Sequence, residues 1–214
     1  ENKGRFKDKD NGQIMEIIKK HCRDHTSIVF TGGEITCRKD CLDLFRYARV
    51  SGYRNIGLQS NGRMFSYAQF CRQSVEAGVT DFTLALHGSK QEVHDSLTRV
   101  KGSFKQTVEG IKNIKKYGQR LMTNTVITKQ NYKDIPAITK LLVSLGVTRL
   151  QFAFMHINPI IRSDPMLIKK IVPRKSAVID YVMEGLKIGL DSGSRVLIEA
   201  IPYCFLKEYS NCIS

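Results

Sequence analysis

Ser27-Ile28-Val29-Phe30-Thr31-Gly32-Gly33-Glu34-Ile35-Thr36 is the stretch from which the rest of the chain can be read. A short apolar run of strand character ends in two glycines, and a carboxylate follows directly. Adjacent glycines after a buried strand let a ligand approach the main chain closely, and a carboxylate behind them can receive an ammonium group. An amino-acid-like ligand suits that combination. Taken alone, Gly32-Gly33-Glu34 also fits a glycine turn with a solvent-exposed Glu34, so its surroundings decide between the two.

Outward from that stretch the chain alternates helical and extended patterns. Upstream, Ile14, Ile17 and Ile18 form a helical stripe over residues 13–22. Downstream, helical patterns cover 40–50, 67–77, 104–117, 134–145 and 177–190. Extended runs cover 55–59, 81–86, 121–128, 148–155 and 196–201. Strand centres near Phe30, Leu58, Leu84, Val126 and Phe152 recur at about 26 to 28 residues, with one interval of about 42, which suits right-handed strand-helix-strand units. The expected fold class is α/β, a parallel sheet either open or curled into a barrel. The nearly continuous apolar character of 148–155 points to a sheet covered on both sides. Residues 157–176 hold three of the five prolines and read as a long functional loop. The chain beyond residue 201 shows no closing element.

Composition sets the bounds. The 214 residues are 42% hydrophobic and 25% charged, enough for one domain with a sizeable core. No apolar run reaches the roughly 18 to 20 residues of a membrane span, so no membrane partner is expected. Residues 1–10 are polar and basic and show no signal peptide. Lysine and arginine outnumber aspartate and glutamate, 34 − 20 = +14, which favours acidic partners or polyanions at long range. The basic residues are spread along helical stretches and aromatics are only 8%, so solvated helix faces explain most of that charge. Six scattered cysteines, at 22, 37, 41, 71, 204 and 212, make no disulfide framework, and a cytoplasmic, reducing setting is expected.

In parallel α/β sheets ligands sit at the carboxyl ends of the strands. Here those ends are Thr31-Gly32-Gly33-Glu34, Gln59-Ser60-Asn61-Gly62, His87-Gly88-Ser89, Thr128-Lys129 and Met155-His156, a rim of small and hydrogen-bonding groups.

Phe30-Thr31-Gly32-Gly33-Glu34-Ile35-Thr36 resembles the FTGGEPT segment of the radical S-adenosylmethionine (radical SAM) enzymes. Leu58-Gln59-Ser60-Asn61-Gly62 looks like the TNG element of that family. Phe82 to Gly88 is similar to its fourth strand, Asn124-Thr125-Val126-Ile127 with Asn131 to its NTVV segment, and Phe152 to Met155 to its sixth strand. The resemblance runs in order over roughly residues 14 to 155. It lies nearest the branch with molybdenum-cofactor biosynthesis enzymes and SPASM/twitch peptide maturases.

That resemblance implies a partial parallel (β/α)6 TIM-like barrel over 1–200, followed at 201–214 by the start of a C-terminal extension. It implies S-adenosylmethionine as cofactor, its methionyl ammonium held by Gly32, Gly33 and Glu34. Ser60 and Asn61 would face the methionyl or ribose part, and Asn124 and Met155 the rest of the nucleoside. Two departures stand out. Ala85 occupies the place where many relatives carry a ribose-binding serine, so His87 or Ser89 would have to substitute or would be ordinary strand-end residues. The family's [4Fe-4S] cluster needs three thiolates of a CxxxCxxC loop after the first strand, and no such loop occurs. Cys37 and Cys41 have the first spacing, but Leu44 takes the third place, so both read as packing cysteines. The first strand and the cluster loop are therefore expected outside this chain. Cys204, with Cys212 behind it, is either a ligand of an auxiliary iron-sulfur cluster or a plain thiol.

The function implied by the resemblance is reductive cleavage of S-adenosylmethionine to a 5′-deoxyadenosyl radical that takes hydrogen from a substrate. A reductant such as ferredoxin or flavodoxin would supply the electron, and the substrate, a peptide, an RNA or a small molecule, is not readable. The competing reading is a cluster-less barrel acting as an S-adenosylmethionine-, RNA- or peptide-binding module. A phosphate-binding barrel is disfavoured, since no glycine-rich phosphate loop with a following lysine is present.

Overall fold

A computed structural model describes residues 9–22, 26–157 and 162–213. Helix α1 (Asn11–His21) opens on a reciprocal cap, in which Asp10 Oδ1 accepts from Gln13 N at 2.8 Å and Gln13 Oε1 accepts from Asp10 N at 3.1 Å. There follow β1 (Ser27–Phe30), α2 (Cys41–Val50), β2 (Asn55–Ser60), α3 (Ala68–Glu76) and β3 (Asp81–Ala85). Then come α4 (Gln91–Thr98), α5 (Ser103–Lys116), β4 (Arg120–Ile127), α6 (Ile135–Ser144) and β5 (Arg149–Phe154). The chain ends through α7 (Pro165–Ile171), α8 (Lys175–Asp191), β6 (Arg195–Glu199) and the short α9 (Tyr203–Leu206). Among the described residues six strands, all parallel, pair in sequence order with β1 and β6 at the two edges, and the sheet does not close.

Side-chain alternation explains which face goes where. In β4, Leu121, Thr123, Thr125 and Ile127 are buried, while Arg120, Met122, Asn124 and Val126 are not. The same period of two runs through β3 and β6. The buried set packs against the helices. Phe65 meets Phe82 edge-on at 5.2 Å, and Phe30 meets Phe45 in the same way at 5.2 Å. Each such side chain contributes about 1.5 to 3 kcal/mol when fully buried.

The opposite face is polar and half open, so the sheet is covered on one side and not on both. Register aligns Gln59, Thr83 and Met122 across three strands, and Ala85, Asn124, Gln151 and Leu197 across four. At the foot of this inner face Arg120 grips both carboxylate oxygens of Asp81 at 2.6 Å and reaches Asn55 Oδ1 at 2.6 Å. Burial works against the Asp81 charge, but Arg120 and Thr80 outweigh it and hold the carboxyl below its usual range.

Helix α5 fixes the loop after β2, which the rim depends on. A Cβ at Gly110 would lie 2.4 Å from Gly62 O, so only glycine lets the helix approach this closely. Thr107 Oγ1 donates to Asn61 O at 2.9 Å, and Asn113 Nδ2 to Phe65 O at 3.0 Å and Ser66 O at 3.1 Å.

Three features differ from the sequence expectation. Helix α4 fills the region between 86 and 103, where the long strand interval gives no clear stripe: His94 is its buried residue, and the apolar Val93 and Leu97 are only half-buried. The expected loop 157–176 carries α7, capped by Asp164 Oδ1 accepting from Leu167 N at 2.9 Å; residues 158–161 lie outside the described residues. The segment after β6 does close on the sheet, since Leu206 and Cys212 are buried and Ile213 makes a parallel bridge to Ile198.

Candidate functional site

The turn after β1 is built around Glu34. Its Oε1 accepts from Thr36 N at 3.2 Å, Thr36 Oγ1 at 2.7 Å and Ser60 Oγ at 2.9 Å, and its Oε2 accepts from Asn61 N at 2.7 Å. Glu34 thus clasps the ends of β1 and β2 together. Ser60 Oγ accepts in turn from Gly62 N at 3.0 Å, and Thr31 Oγ1 donates to Gln59 Oε1 at 2.8 Å. Three donors occupy Oε1 and one occupies Oε2, so Oε2 retains room for one more.

Beside this clasp lies a cavity of about 300 Å³ that Gly32, Gly33, Glu34, Asn61 and Asn124 help to line. Gly32 has φ +123°, a conformation that L side chains rarely adopt, and a Cβ at Gly32 or Gly33 would meet nothing within 4 Å. The main chain is therefore bare toward the cavity. Asn124 Oδ1 is buried and, among the described residues, has no hydrogen-bond partner. Its register neighbour is Ala85, whose methyl offers no donor. A buried acceptor left unpaired costs about 1 to 3 kcal/mol.

Six of the eight residues singled out in the sequence, Gly32, Gly33, Glu34, Ser60, Asn61 and Asn124, meet around this one cavity. Ser60, 7% exposed, has its hydroxyl committed to Glu34 and Gly62, so it supports the Glu34 carboxylate. His87 and Met155 line a separate cavity of about 460 Å³ farther along the rim. His87 Nδ1 accepts from Val126 N at 3.3 Å, and its ring stacks on His94 at 5.9 Å. Burial, and then the charge of His94, push the His87 pKa down to about 4. Ser89 does not substitute for a ribose-binding hydroxyl, because both its N and its Oγ donate to Asp134 at 2.6 Å.

Asn131 ties the neighbouring strand ends. Its Oδ1 accepts from Thr128 N at 2.8 Å, and its Nδ2 donates to His87 O at 3.0 Å and Val126 O at 2.9 Å. Sequence reasoning passed over Arg99 and Lys170, which line the second cavity. Arg99 has one visible signal, a long cation at the place after a helix where glycine is customary.

S-adenosylmethionine and an iron-sulfur cluster, the two groups the sequence implies, fare differently against these residues. The bare glycines, the Glu34 carboxylate and the Asn124 side chain fit the polar, cationic methionyl and nucleoside parts of S-adenosylmethionine. The cluster finds no ligand set: among the described residues no three of His, Cys, Asp and Glu gather as a metal site. Cys37 is exposed, whereas Cys41 is buried and burial raises its thiol pKa. Cys204 is exposed on α9 and Cys212 is buried, its thiol likewise pushed up.

Residues 1–142 match the family model described as the Radical SAM superfamily. The chain is 36% identical over 119 residues to the AdoMet-dependent heme synthase of Oleidesulfovibrio alaskensis, covering 56% of this chain and 30% of that protein. It is 30% identical over 158 residues to the Fe-coproporphyrin III synthase of Methanosarcina barkeri, covering 73% of this chain and 38% of that one. The chain thus spans well under half the length of these relatives. Its fold is similar to Streptococcus suis SuiB bound to precursor peptide SuiA, with a TM-score of 0.69 at 16% identity over 96% of this chain and 45% of SuiB. Among the described residues no helix is long and apolar enough to cross a membrane.

Proposed function

Because the chain belongs to the radical SAM superfamily, we propose that it is the S-adenosylmethionine-binding part of a radical enzyme. The observation that carries this reading is the one cavity shared by the bare Gly32-Gly33 main chain, the Glu34 carboxylate and the Asn124 side chain. When bound, S-adenosylmethionine supplies a reductively generated carbon radical able to abstract hydrogen from a substrate.

Residues of this chain bind and orient. Glu34 Oε2 receives the methionyl ammonium while its other bonds keep the carboxylate from swinging away. Gly32 and Gly33 let the main chain come within hydrogen-bond reach of the methionyl group. Asn124, which lines the same cavity, meets the nucleoside. Ala85 leaves space rather than a hydroxyl at the ribose. The +14 surface suits an acidic one-electron donor of the ferredoxin or flavodoxin class, which it would attract at long range.

The test is a titration of the 214-residue chain with S-adenosylmethionine, followed through backbone amide chemical shifts. Saturable shifts concentrated at Gly32, Gly33, Asn61, Ala85 and Asn124 are expected. Shifts absent from these positions would overturn the assignment.

A further inference from the structure

Glu199 is the last residue of β6, and the alternation of that strand sets its direction. Val196 and Ile198 are buried against the helices, so Arg195, Leu197 and Glu199 face the inner side of the sheet. Register puts Glu199 beside Ala153 and Leu197 beside Gln151, which in turn pairs with Asn124 on the wall of the Gly32 cavity. The Glu199 carboxylate therefore stands on the same face as that cavity, at the edge of the sheet opposite the Glu34 turn.

Its two oxygens are held separately. Gln151 Nε2 donates to Oε2 at 2.6 Å, and His156 Nε2 lies 2.8 Å from Oε1. Gln151 comes from the inner face of β5 and His156 from the turn after it, so both groups belong to the neighbouring strand. Each oxygen has taken one partner and keeps room for another. The side chain is 33% exposed, and among the described residues no lysine or arginine pairs with it. Asp81, on the same face at the foot of the sheet, differs in that Arg120 occupies both of its oxygens.

The backbone directly after Glu199 is strained. Ala200 adopts φ 60°, in the left-handed region where glycine would sit without steric cost. Strain of this kind collects at ligand sites, and here it ends the strand so that Glu199 stands at the rim. Leu197 below and Ala153 beside it supply an apolar floor. A carboxylate fixed by two neighbours, over an apolar floor and without a lysine or arginine of its own, fits an organic cation.

We propose that Glu199 anchors a protonated nitrogen, ammonium or guanidinium, of the molecule on which the rim acts, with Gln151 and His156 as the positioning residues that hold its carboxylate. Calling that molecule the substrate rests on reading the Gly32 cavity as the S-adenosylmethionine site. Binding of the cation does not.

The experiment titrates the 214-residue chain with butylammonium and butylguanidinium, and with butyrate as the opposite charge, followed by nitrogen-resolved NMR. The Gln151 side-chain amide, which donates to Glu199, and the Ala200 N–H are the reporters. At least one cation is expected to shift both saturably, and butyrate neither. The cation bound more tightly tells whether the molecule carries an ammonium or a guanidinium. Glu199→Gln keeps the shape of the side chain and should weaken binding, read at Ala200, by about tenfold or more. Unchanged Leu150 and Val196 amides in that variant separate lost binding from lost folding. Glu184→Gln removes an exposed carboxylate on α8 and should leave affinity unchanged. His156→Gln keeps a donor for Oε1 and should bind within about threefold of wild type. No shift at Gln151 with either cation, an equal response to butyrate, or equal weakening by Glu184→Gln or His156→Gln and by Glu199→Gln overturns the proposal. Glu199→Gln should leave the S-adenosylmethionine shifts at Gly32 and Gly33 in place, so the two sites fail or hold separately.

Discussion

Ser60 Oγ donates to Glu34 Oε1 at 2.9 Å, joining the end of β2 to the turn after β1 across 26 residues of sequence. Glu34 is therefore a structural clasp as well as the proposed ligand group. Glu34→Ala frees donors on Thr36, Ser60 and Asn61, and the chain should lose on the order of 2 kcal/mol of stability, from hydrogen bonds to a charged acceptor. Its affinity for S-adenosylmethionine should fall ten- to a hundredfold. Ser60→Ala removes one donor and leaves the carboxylate, so it should cost about 1 kcal/mol and weaken binding far less. Chemical unfolding and calorimetry on both variants check this. Equal effects of the two on affinity would show that Glu34 acts only through the clasp.

The glycine turn, the six strands and the cavity at their ends were legible because each rests on local pattern: Gly32-Gly33 after Phe30, and Phe82 and Leu84 alternating with Thr83 and Ala85. The inner face was harder. Gln59, Thr83, Met122 and Asn124 look like interruptions of apolar strands until register puts them side by side. The split between Glu34 and Met155 was not legible at all, because strand ends that share a rim need not share a cavity. Nor was Asp95, whose three bonds to 102–104 depend on a turn geometry that sequence spacing does not specify.

Folded His87 takes a proton only near pH 4, whereas an unfolded histidine does so near 6.5. As pH falls, the unfolded chain therefore binds that proton first. Stability from the neutral ring is complete above about pH 6.5 and drains away toward pH 4, by at most about 3 kcal/mol. Burial lowers the pKa of His94 too, so it contributes in the same direction. His87→Gln keeps an acceptor for Val126 N and isolates the His87 share. Urea unfolding at pH 7 and pH 5 should show the wild type losing more stability than the variant. Parallel losses would place the pH sensitivity elsewhere.

Iron and sulfide supplied anaerobically to the 214-residue chain should not assemble one [4Fe-4S] cluster per chain. Three thiolates are needed, and the described residues bring no three ligand groups together. Iron analysis and visible absorption after desalting measure the outcome. A stoichiometric brown species abolished by Cys37→Ser and Cys41→Ser would overturn this expectation, and would mean that Cys41 leaves the core to bind metal.

Asn124 gives the sharpest separation of a binding role from a structural one. Its Oδ1 is buried without a partner, so the side chain burdens the folded chain by about 1 to 3 kcal/mol unless something donates to it. Asn124→Ala lifts that burden at the wall of an open cavity, where the shortened side chain leaves little empty core. Its melting temperature should equal or exceed that of the wild type, while S-adenosylmethionine affinity falls about tenfold, as expected for one lost hydrogen bond in a sheltered site. Ala85→Ser is the complementary change. Residue 85 pairs with Asn124 across β3 and β4, so a serine hydroxyl can donate to Oδ1 and should raise stability by about 1 kcal/mol. A less stable Asn124→Ala with unchanged affinity would make Asn124 a strand residue like its neighbours and leave the Glu34 turn to hold the ligand alone.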